Sequence, residues 1–324
     1  MTTITHAFCL ELARIVTVDE ARFEYLSLSG ENRERFHYLC TNPDCRRSGV
    51  RVFGVNDYRP LEDTEVFKDP HFRKSRDVHV QGCPWEAEDV APIQGDGESD
   101  DDFRQRVAKA KVSDFIERFT PPGSEAGKDV AGNSRSTDPS TDESRRNTHR
   151  APSQRHHEPG MRSTTVLDRL VTSYRQARKR LTSDELRSIQ LHVVGMGQIR
   201  LVDYFKPLRF CSLETRQRVI FGGARFIRRW GKGVEFRFYD KLVHRREGIE
   251  REHYPVTLYV SPRLVEEARH SNYFEEILKE PEKRRYFTIY ALGHLTFSAE
   301  HESFSLVVDD LKSLSLLRGP DKEQ

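Results

Sequence analysis

Hydrophobic and polar positions alternate most clearly in the last third of the chain. Val234, Phe236 and Phe238 face one side of a predicted strand that ends near Leu242. A long strand precedes it across a Gly-Lys-Gly turn, and the pattern continues as strand, helix, strand and strand. The predicted bounds are 218–230, 234–242, 255–261, 265–280 for the helix, 285–297 and 303–309.

The order of these elements resembles that of OB-fold domains, which are five-stranded barrels. Gly222-Gly223 fits this resemblance, because the first strand of so small a barrel bends sharply through a bulge, and Gly293 is placed to bend the fourth strand. The resemblance covers about 209–317 and rests on order and patterning. It implies an OB-like domain at 209–324 that binds single-stranded nucleic acid. The alternative is another small β domain with one helix.

Helical spacing marks the segment before the barrel. We expect Ser163 to cap a helix over 165–180, followed by a strand at 189–194 and a turn at Gly195–Gly197. Residues 163–208 then form a helix and a β hairpin that lead into the barrel.

An acidic and then Ser/Arg/Pro-rich segment occupies 95–162. It contains few aliphatic residues after Phe119, so it cannot bury enough apolar area to offset chain entropy, and we predict a disordered, flexible linker. Within this segment, the apolar residues of 103–119 have helical spacing, and Pro121-Pro122 follow them. This pattern predicts a short helix that packs back on the first domain.

Residues 1–94 contain two close pairs of potential metal ligands. Cys40 and Cys45 form the first pair, and His79 and Cys83 form the second. Three thiolates and one imidazole complete a tetrahedral zinc site with no vacant position, so we predict structural zinc in a small zinc-ribbon-like module with strands at 36–40 and 50–53. His71 is the alternative fourth ligand.

These ligands, together with Pro70-His71-Phe72, resemble the zinc-finger segment at the front of competence protein CoiA-like bacterial proteins. The resemblance covers about 50 residues and implies a role in bacterial DNA metabolism, or in mobile-element or phage-related processes. A nuclease-like domain follows in that family. Here a linker and a β domain follow instead, so nuclease activity is not carried over.

Composition supports a multidomain α+β protein. The 324 residues suffice for two domains, and the mean hydropathy of −0.72 indicates that part of the chain is unpacked. The sequence contains no apolar run long enough to span a membrane, and its first residues resemble a secretory signal only poorly. Both features favour a cytoplasmic protein. Five cysteines, three of them in metal-like spacing, fit a reducing compartment.

Charge is distributed unevenly along the chain. Every charged residue in 86–102 is acidic, and this stretch is a candidate surface for a protein partner. Residues 162–246 contain 20 Lys or Arg against 7 Asp or Glu, which favours a polyanion as ligand. The predicted nucleic-acid contacts are Arg216, Arg218, Arg225, Arg228, Arg229, Trp230, Lys232, Arg237, Tyr239 and Lys241.

The favoured function is a non-enzymatic zinc protein that binds single-stranded nucleic acid, DNA before RNA, without sequence specificity, through two modules joined by a flexible tether. A protein-interaction adaptor that uses the same modules is the alternative. A nuclease is less favoured, because Glu235, Asp240, Asp309 and Asp310 form no recognised carboxylate constellation.

Overall fold

The protein is a mixed α+β structure in which strands outnumber a few short helices. The computed structural model describes residues 4–30, 33–62, 68–85, 93–112, 115–123, 163–244 and 252–322. The helices are α1 Val18–Ser27, α2 Pro43–Arg47, α3 Asp100–Ala110, α4 Leu167–Arg180, α5 Ser183–Ser188, α6 Leu201–Tyr204, α7 Pro262–Glu266 and α8 Ser271–Ile277. The α+β class predicted from the sequence is thus confirmed.

The strands fall into three sheets. Those of the first are β1 His6–Cys9, β2 Arg14–Thr17, β3 Tyr38–Leu39, β4 Arg51–Val55 and β5 His71–Lys74. Those of the second are β6 Arg118–Phe119, β7 Ser163–Thr164, β8 Gln190–Val193 and β9 Gly197–Arg200. Those of the third are β10 Phe205–Pro207, β11 Val219–Trp230, β12 Gly233–His244, β13 Glu252–Val260, β14 Phe287–Leu292, β15 His294–Ser298, β16 Ser303–Val307 and β17 Leu314–Arg318.

The first sheet is antiparallel and has the order β2-β1-β3-β4-β5. The strands predicted at 36–40 and 50–53 are present as β3 and β4, whereas β1, β2 and β5 lie outside the predicted strands. One face of the sheet is buried, and its side chains are Ala7, Cys9, Val16, Tyr38, Val52 and Phe72. The front of the chain therefore has a small hydrophobic core of its own.

Helix α1 connects this front part to the C-terminal β domain. It begins at a capping box in which Thr17 Oγ1 accepts a hydrogen bond from the Glu20 N–H and the Glu20 carboxylate accepts one from the Thr17 N–H. Its side chains Phe23 and Leu26 lie in the hydrophobic core of the third sheet. Buried apolar side chains therefore join the two modules directly, in addition to the predicted flexible tether.

A second core surrounds α4 and the sheet β7-β6-β8-β9. The hairpin β8–β9 turns at Gly195 and Gly197, both with φ of +84°, as the sequence predicts. Helix α3 ends at Ala110, and Arg118–Phe119 form β6, so the helix predicted at 103–119 is shorter than expected.

The side chains of this segment also pack elsewhere than predicted. Val112, Phe115 and Ile116 are buried in the second core, and not against the buried face of the first sheet. Ser163 does not cap a helix, because it lies in β7 and α4 begins after Val166 without a side-chain cap. The described part of the predicted linker therefore belongs to a folded unit.

The third sheet has the order β15-β16-β13-β12-β11-β14-β17, and β10 pairs with β11. Strands β13 and β16 are parallel, as are β10 and β11, and the other pairs are antiparallel. The predicted strand at 285–297 is divided into β14 and β15 at Gly293. A Cβ at Gly293 would lie 2.1 Å from the Val307 carbonyl oxygen, so this close approach of two backbones requires glycine.

Two further expectations for this domain need correction. The helix predicted at 265–280 is two short helices, α7 and α8, separated by residues 267–270. The sheet has eight strands and not five, since β10, β15 and β17 add to the predicted set. Strand β17 is buried at all five positions and shows no alternation.

Strand β11 changes partners along its length. Val219–Ala224 pair with β14, and Ala224–Trp230 pair with β12, with a register shift between Phe226 and Arg228. Gly222 lies against Phe238, on the core side, and Gly223 lies against Tyr239, on the opposite side. The bulge predicted at Gly222-Gly223 is therefore wrong, because the pairing with β14 is regular through both glycines and the register shift lies between Phe226 and Arg228.

No helix in the described ranges is long and apolar enough to cross a bilayer. Residues 124–162 of the predicted linker and 86–92 of the acidic stretch lie outside the described residues. Asp100, Asp101 and Asp102 form the first turn of α3, where carboxylates interact favourably with the helix dipole. Glu98 pairs with Arg106 at 2.8 Å, so this part of the acidic stretch has local partners.

Candidate functional site

The four predicted metal ligands meet at one edge of the first sheet. Cys40 follows β3, and Cys45 lies in α2. Asn42 caps α2, because its side-chain oxygen accepts hydrogen bonds from the N–H groups of Asp44 and Cys45. His79 and Cys83 lie in the irregular segment after β5.

The ligand atoms of the four residues lie within 4.8 Å of one another, and all four residues are buried. Cys40 Sγ is 3.6 Å from Cys83 Sγ, and His79 Nδ1 is 3.2 Å from Cys83 Sγ and 3.7 Å from Cys45 Sγ. Tetrahedral zinc at its usual bond lengths places its ligand atoms about 3.5 to 3.8 Å apart. The group could therefore hold a metal ion and is compatible with zinc.

Backbone groups hold the cluster in place. The Cys40 N–H donates to the Val50 carbonyl and the Val50 N–H donates to the Cys45 carbonyl, both at 2.9 Å. The Val80 N–H points at Cys45 Sγ from 3.3 Å, which is the type of hydrogen bond that stabilises a thiolate ligand. The short helix and the strand β3 are thereby fixed relative to the second ligand pair.

Burial sets the electrostatics of these thiols. It raises the pKa of Cys40 to about 12 and also raises the pKa of Cys83. A bound cation has the opposite effect, because it stabilises the thiolate form. Metal binding at neutral pH is therefore coupled to the release of thiol protons.

The structure distinguishes the two candidate histidines. His71 lies in β5, and its Nδ1 is 2.8 Å from the carbonyl oxygen of Asp69, outside the ligand group. His79 Nδ1 faces two of the sulfurs. His79 is thus the fourth member of the group.

The predicted nucleic-acid contacts centre on the outward face of β11 and β12. In β12 the side chains of Val234, Phe236 and Phe238 are buried, and those of Arg237 and Tyr239 are exposed. This alternation matches the prediction. Arg225 of β11 is exposed on the same face.

Arg225 and Arg237 are directly opposite each other in the antiparallel pair. Within the described part of the chain, neither forms an ion pair with a carboxylate. Like charges at directly opposed positions destabilise a sheet, whereas an anion bound between them removes that penalty. The pair is therefore a favourable place for a phosphate.

Tyr239 is an exposed aromatic ring that is held at both ends. Its ring lies over Gly223, where an added Cβ would be 3.3 Å from Tyr239 Cδ2. Its hydroxyl donates a hydrogen bond to the Arg285 carbonyl at 3.2 Å, and 58% of the residue is exposed. A ring fixed in this way loses little entropy when a base stacks on it.

Trp230 is the other predicted stacking ring, and it is more enclosed. The Arg228 guanidinium lies over it at 4.2 Å, and the Tyr259 ring meets it at 5.5 Å in a T-shaped arrangement. Arg228 also pairs with Glu235 at 2.9 Å. Tyr239 is thus more accessible than Trp230, which the sequence favoured.

Two predicted contacts near the start of β11 lie away from this face. Arg218 is half-buried, donates a hydrogen bond to the Gln217 carbonyl and contacts the Met196 sulfur at 3.2 Å. Arg216 is exposed in the loop before the strand. Arg216 and Arg218 were predicted as contacts only because they are close in sequence to the outward-facing residues of β11.

Two others lie near the β11–β12 turn, on the side of α8. Lys232 pairs with Glu275 at 3.4 Å. Arg229 donates to the Gly231 carbonyl and, with Arg33, lines a cavity of about 530 Å³. Lys241, by contrast, is exposed on the outward face of β12.

Tyr259 of β13 is a member of the outward face that the prediction omitted. It is the partner of Glu235 in the β12–β13 pair and is 51% exposed. Its alternation with the buried Leu258 and Val260 was a usable signal, because it places the ring on the polar side of the strand. The exposed aromatic set is therefore Trp230, Tyr239 and Tyr259.

No known protein family matches this chain, and comparison with curated proteins and with solved structures gives no match either.

Proposed function

We propose that the protein is a non-enzymatic, zinc-containing protein that binds single-stranded nucleic acid on the outward face of β11–β13. The observation that carries this proposal is the directly opposed pair Arg225 and Arg237, flanked by the exposed rings of Tyr239 and Trp230. Cationic side chains interleaved with exposed rings are the chemistry by which proteins hold phosphates and stack bases.

We further propose that 209–317 is an OB-like barrel. The antiparallel run β11-β12-β13, the parallel pair β13–β16 and the antiparallel pairs β15–β16 and β11–β14 support this assignment. Only Gly293 separates β14 from β15, so one continuous segment pairs with β11 at one end and β16 at the other. Such a segment is what a small closed barrel requires.

The metal of the front module, on this proposal, is zinc in a structural role. The donor set of three thiols and one imidazole suits zinc and leaves no position for a substrate. The ligands connect β3, α2 and the segment after β5, so the ion stabilises a zinc-ribbon-like edge of the first sheet.

The described side chains of the outward face of β11–β13 offer phosphate contacts and stacking, which carry no sequence information, so we expect binding without sequence specificity and favour DNA over RNA as the ligand. The test uses the full-length protein with single-stranded DNA, single-stranded RNA and duplex DNA across a salt series. Single strands should bind at low salt, and affinity should fall steeply as salt rises.

A double variant, Arg225→Ala with Arg237→Ala, tests the face itself. Loss of two phosphate contacts should reduce the slope of log affinity against log salt by about 1.4 for a single strand. The matched control is Arg187→Ala with Arg263→Ala, which removes two exposed arginines that pair with Asp184 and Glu267. Equal slopes in the two double variants would overturn the assignment of this face.

A further inference from the structure

The first sheet has an open face that the proposed function leaves unused. It lies opposite the buried face that includes Tyr38 and Val52. The register defines it, because Phe8 is the partner of both Ile15 and Leu39, and Leu39 is the partner of Arg51. The residues on it include Phe8, Ile15, Leu39, Arg51, Phe53 and Arg73.

Aromatic rings on this open face lie beneath guanidinium groups. Phe53 is 42% exposed, and its strand partner Arg73 lies over its ring at 5.8 Å. Arg46 of α2 lies over the Phe8 ring at 4.3 Å. A cation held over a ring gives a surface that interacts with both a phosphate and a base.

The charge of the open face is positive. Arg51 pairs with Asp77 at 3.1 Å. Arg46 and Arg73 form no ion pair in the ranges that the structure describes, and the guanidinium of each lies over an aromatic ring. An anionic ligand that also has flat apolar groups complements this combination, and single-stranded nucleic acid is such a ligand.

We propose that the open face is a second contact surface for single-stranded nucleic acid. Phe53 stacks on a base, and Arg46 and Arg73 bind phosphates, with Arg46 held over the half-buried Phe8 ring. The inference rests on the proposed function for its ligand class. Two surfaces on one chain raise the effective concentration of a long strand at the second surface once it has bound the first.

The metal centre supports this surface directly. Arg46 follows the ligand Cys45 in α2. The Val50 N–H donates to the Cys45 carbonyl, and the Cys40 N–H donates to the Val50 carbonyl, so these bonds connect α2 to the end of β3. A bound ion therefore fixes the position from which Arg46 reaches Phe8. We expect metal removal to weaken nucleic-acid binding at the open face, while the outward face of β11–β13 keeps its geometry.

The test measures binding of a thirty-nucleotide oligo(dT) to the full-length protein across a salt series. Phe53→Ala should weaken binding about 5-fold or more, which corresponds to the loss of one stacked base. Arg46→Ala with Arg73→Ala should lower the salt slope by about 1.4. Leu10→Ala and Arg47→Ala are matched controls, because Leu10 is exposed in the β1–β2 turn and Arg47 pairs with Asp44.

The open-face substitutions are also combined with Arg225→Ala and Arg237→Ala, so that binding at each of the two surfaces is measured without the other. The inference holds if the Arg225/Arg237 variant retains binding that Phe53→Ala and Arg73→Ala then remove, and ultraviolet cross-linking should yield peptides that contain Phe53. If the Arg225/Arg237 variant loses binding and the Arg46/Arg73 variant binds like its controls, the inference is overturned. The open face is then a candidate surface for a protein partner. The reverse result overturns the proposed function and retains the open face.

Discussion

A buried charge cluster joins the front of the chain to the C-terminal domain, and its removal is the most quantitative test of the fold. Arg22 of α1 is fully buried, and its guanidinium lies 3.0 Å from Asp168 of α4 and 3.7 Å from Asp19. It also donates to the Tyr273 hydroxyl at 3.4 Å, and Ser315 donates to the Asp168 carboxylate at 2.7 Å. One cation thus faces two buried carboxylates.

We expect Arg22→Met to lower the free energy of unfolding by about 3 to 5 kcal/mol, because it leaves buried carboxylates without their cation. Methionine fills much of the volume of the arginine stem, so the loss reports charge more than a cavity. Urea denaturation monitored by circular dichroism and tryptophan fluorescence measures it. Arg14→Met is the control, because Arg14 and Glu24 are both exposed, and removing that pair should change stability by less than about 1 kcal/mol.

The double variant Arg22→Met with Asp168→Asn distinguishes charge from packing. Removing the charge of both partners should restore at least about 1 kcal/mol relative to Arg22→Met alone. If Arg22→Met unfolds at the same urea concentration as Arg14→Met, or if the two substitutions simply add, then Arg22 does not compensate these carboxylates and the reasoning is refuted.

Three further predictions concern the metal, the backbone and pH. Cys45→Ser should reduce bound zinc from one ion per chain to near none and lower the melting temperature, whereas Cys211→Ser, which removes a thiol outside the cluster, should leave the zinc content unchanged on metal analysis. Gly293→Ala should cost about 3 kcal/mol in urea unfolding, because its Cβ would collide with a carbonyl oxygen; Gly30→Ala, where no atom lies within 4 Å of the added Cβ, should cost under about 0.5 kcal/mol. Burial lowers the pKa of His270 below its usual 6.5, so the unfolded chain binds more protons than the native state below that pH, and stability should fall as pH drops from 6.5; thermal melts should show a smaller fall in His270→Asn, and an unchanged fall would contradict this origin.

Local chemistry explains what the sequence could predict. The metal ligands could be found because paired cysteines and histidines are informative whatever fold brings them together. Arg237 and Tyr239 could be placed on the outward face because β12 has one buried face and the period of a strand is two. The turn at Gly195–Gly197 could be predicted because both glycines adopt a positive φ that other residues rarely tolerate.

Long-range packing explains what the sequence could not predict. Strand β17 is buried on both sides and shows no alternation to detect. Helix α1 places Asp19 and Arg22 in buried positions, so its charged residues concealed the face that packs against the C-terminal domain. The contact of Phe23 with Tyr273, 250 residues away in the sequence, leaves no local signal. These tertiary contacts determine the position of the front module, and the helix propensity of the α1 sequence does not.

The packing of α1 also sets an order for assembly during synthesis. All four metal ligands have been synthesised once residue 83 is made, whereas the hydrogen bond between Arg22 and Tyr273 spans 251 residues. At about 5 to 20 residues per second, the ribosome needs roughly 12 to 50 seconds to make that span. The front module can fold first, while Phe23 and Leu26 stay without their core until the strands of the third sheet are made. A chain that stops before Val219 would therefore expose Phe23 and Leu26 to chaperones and proteases.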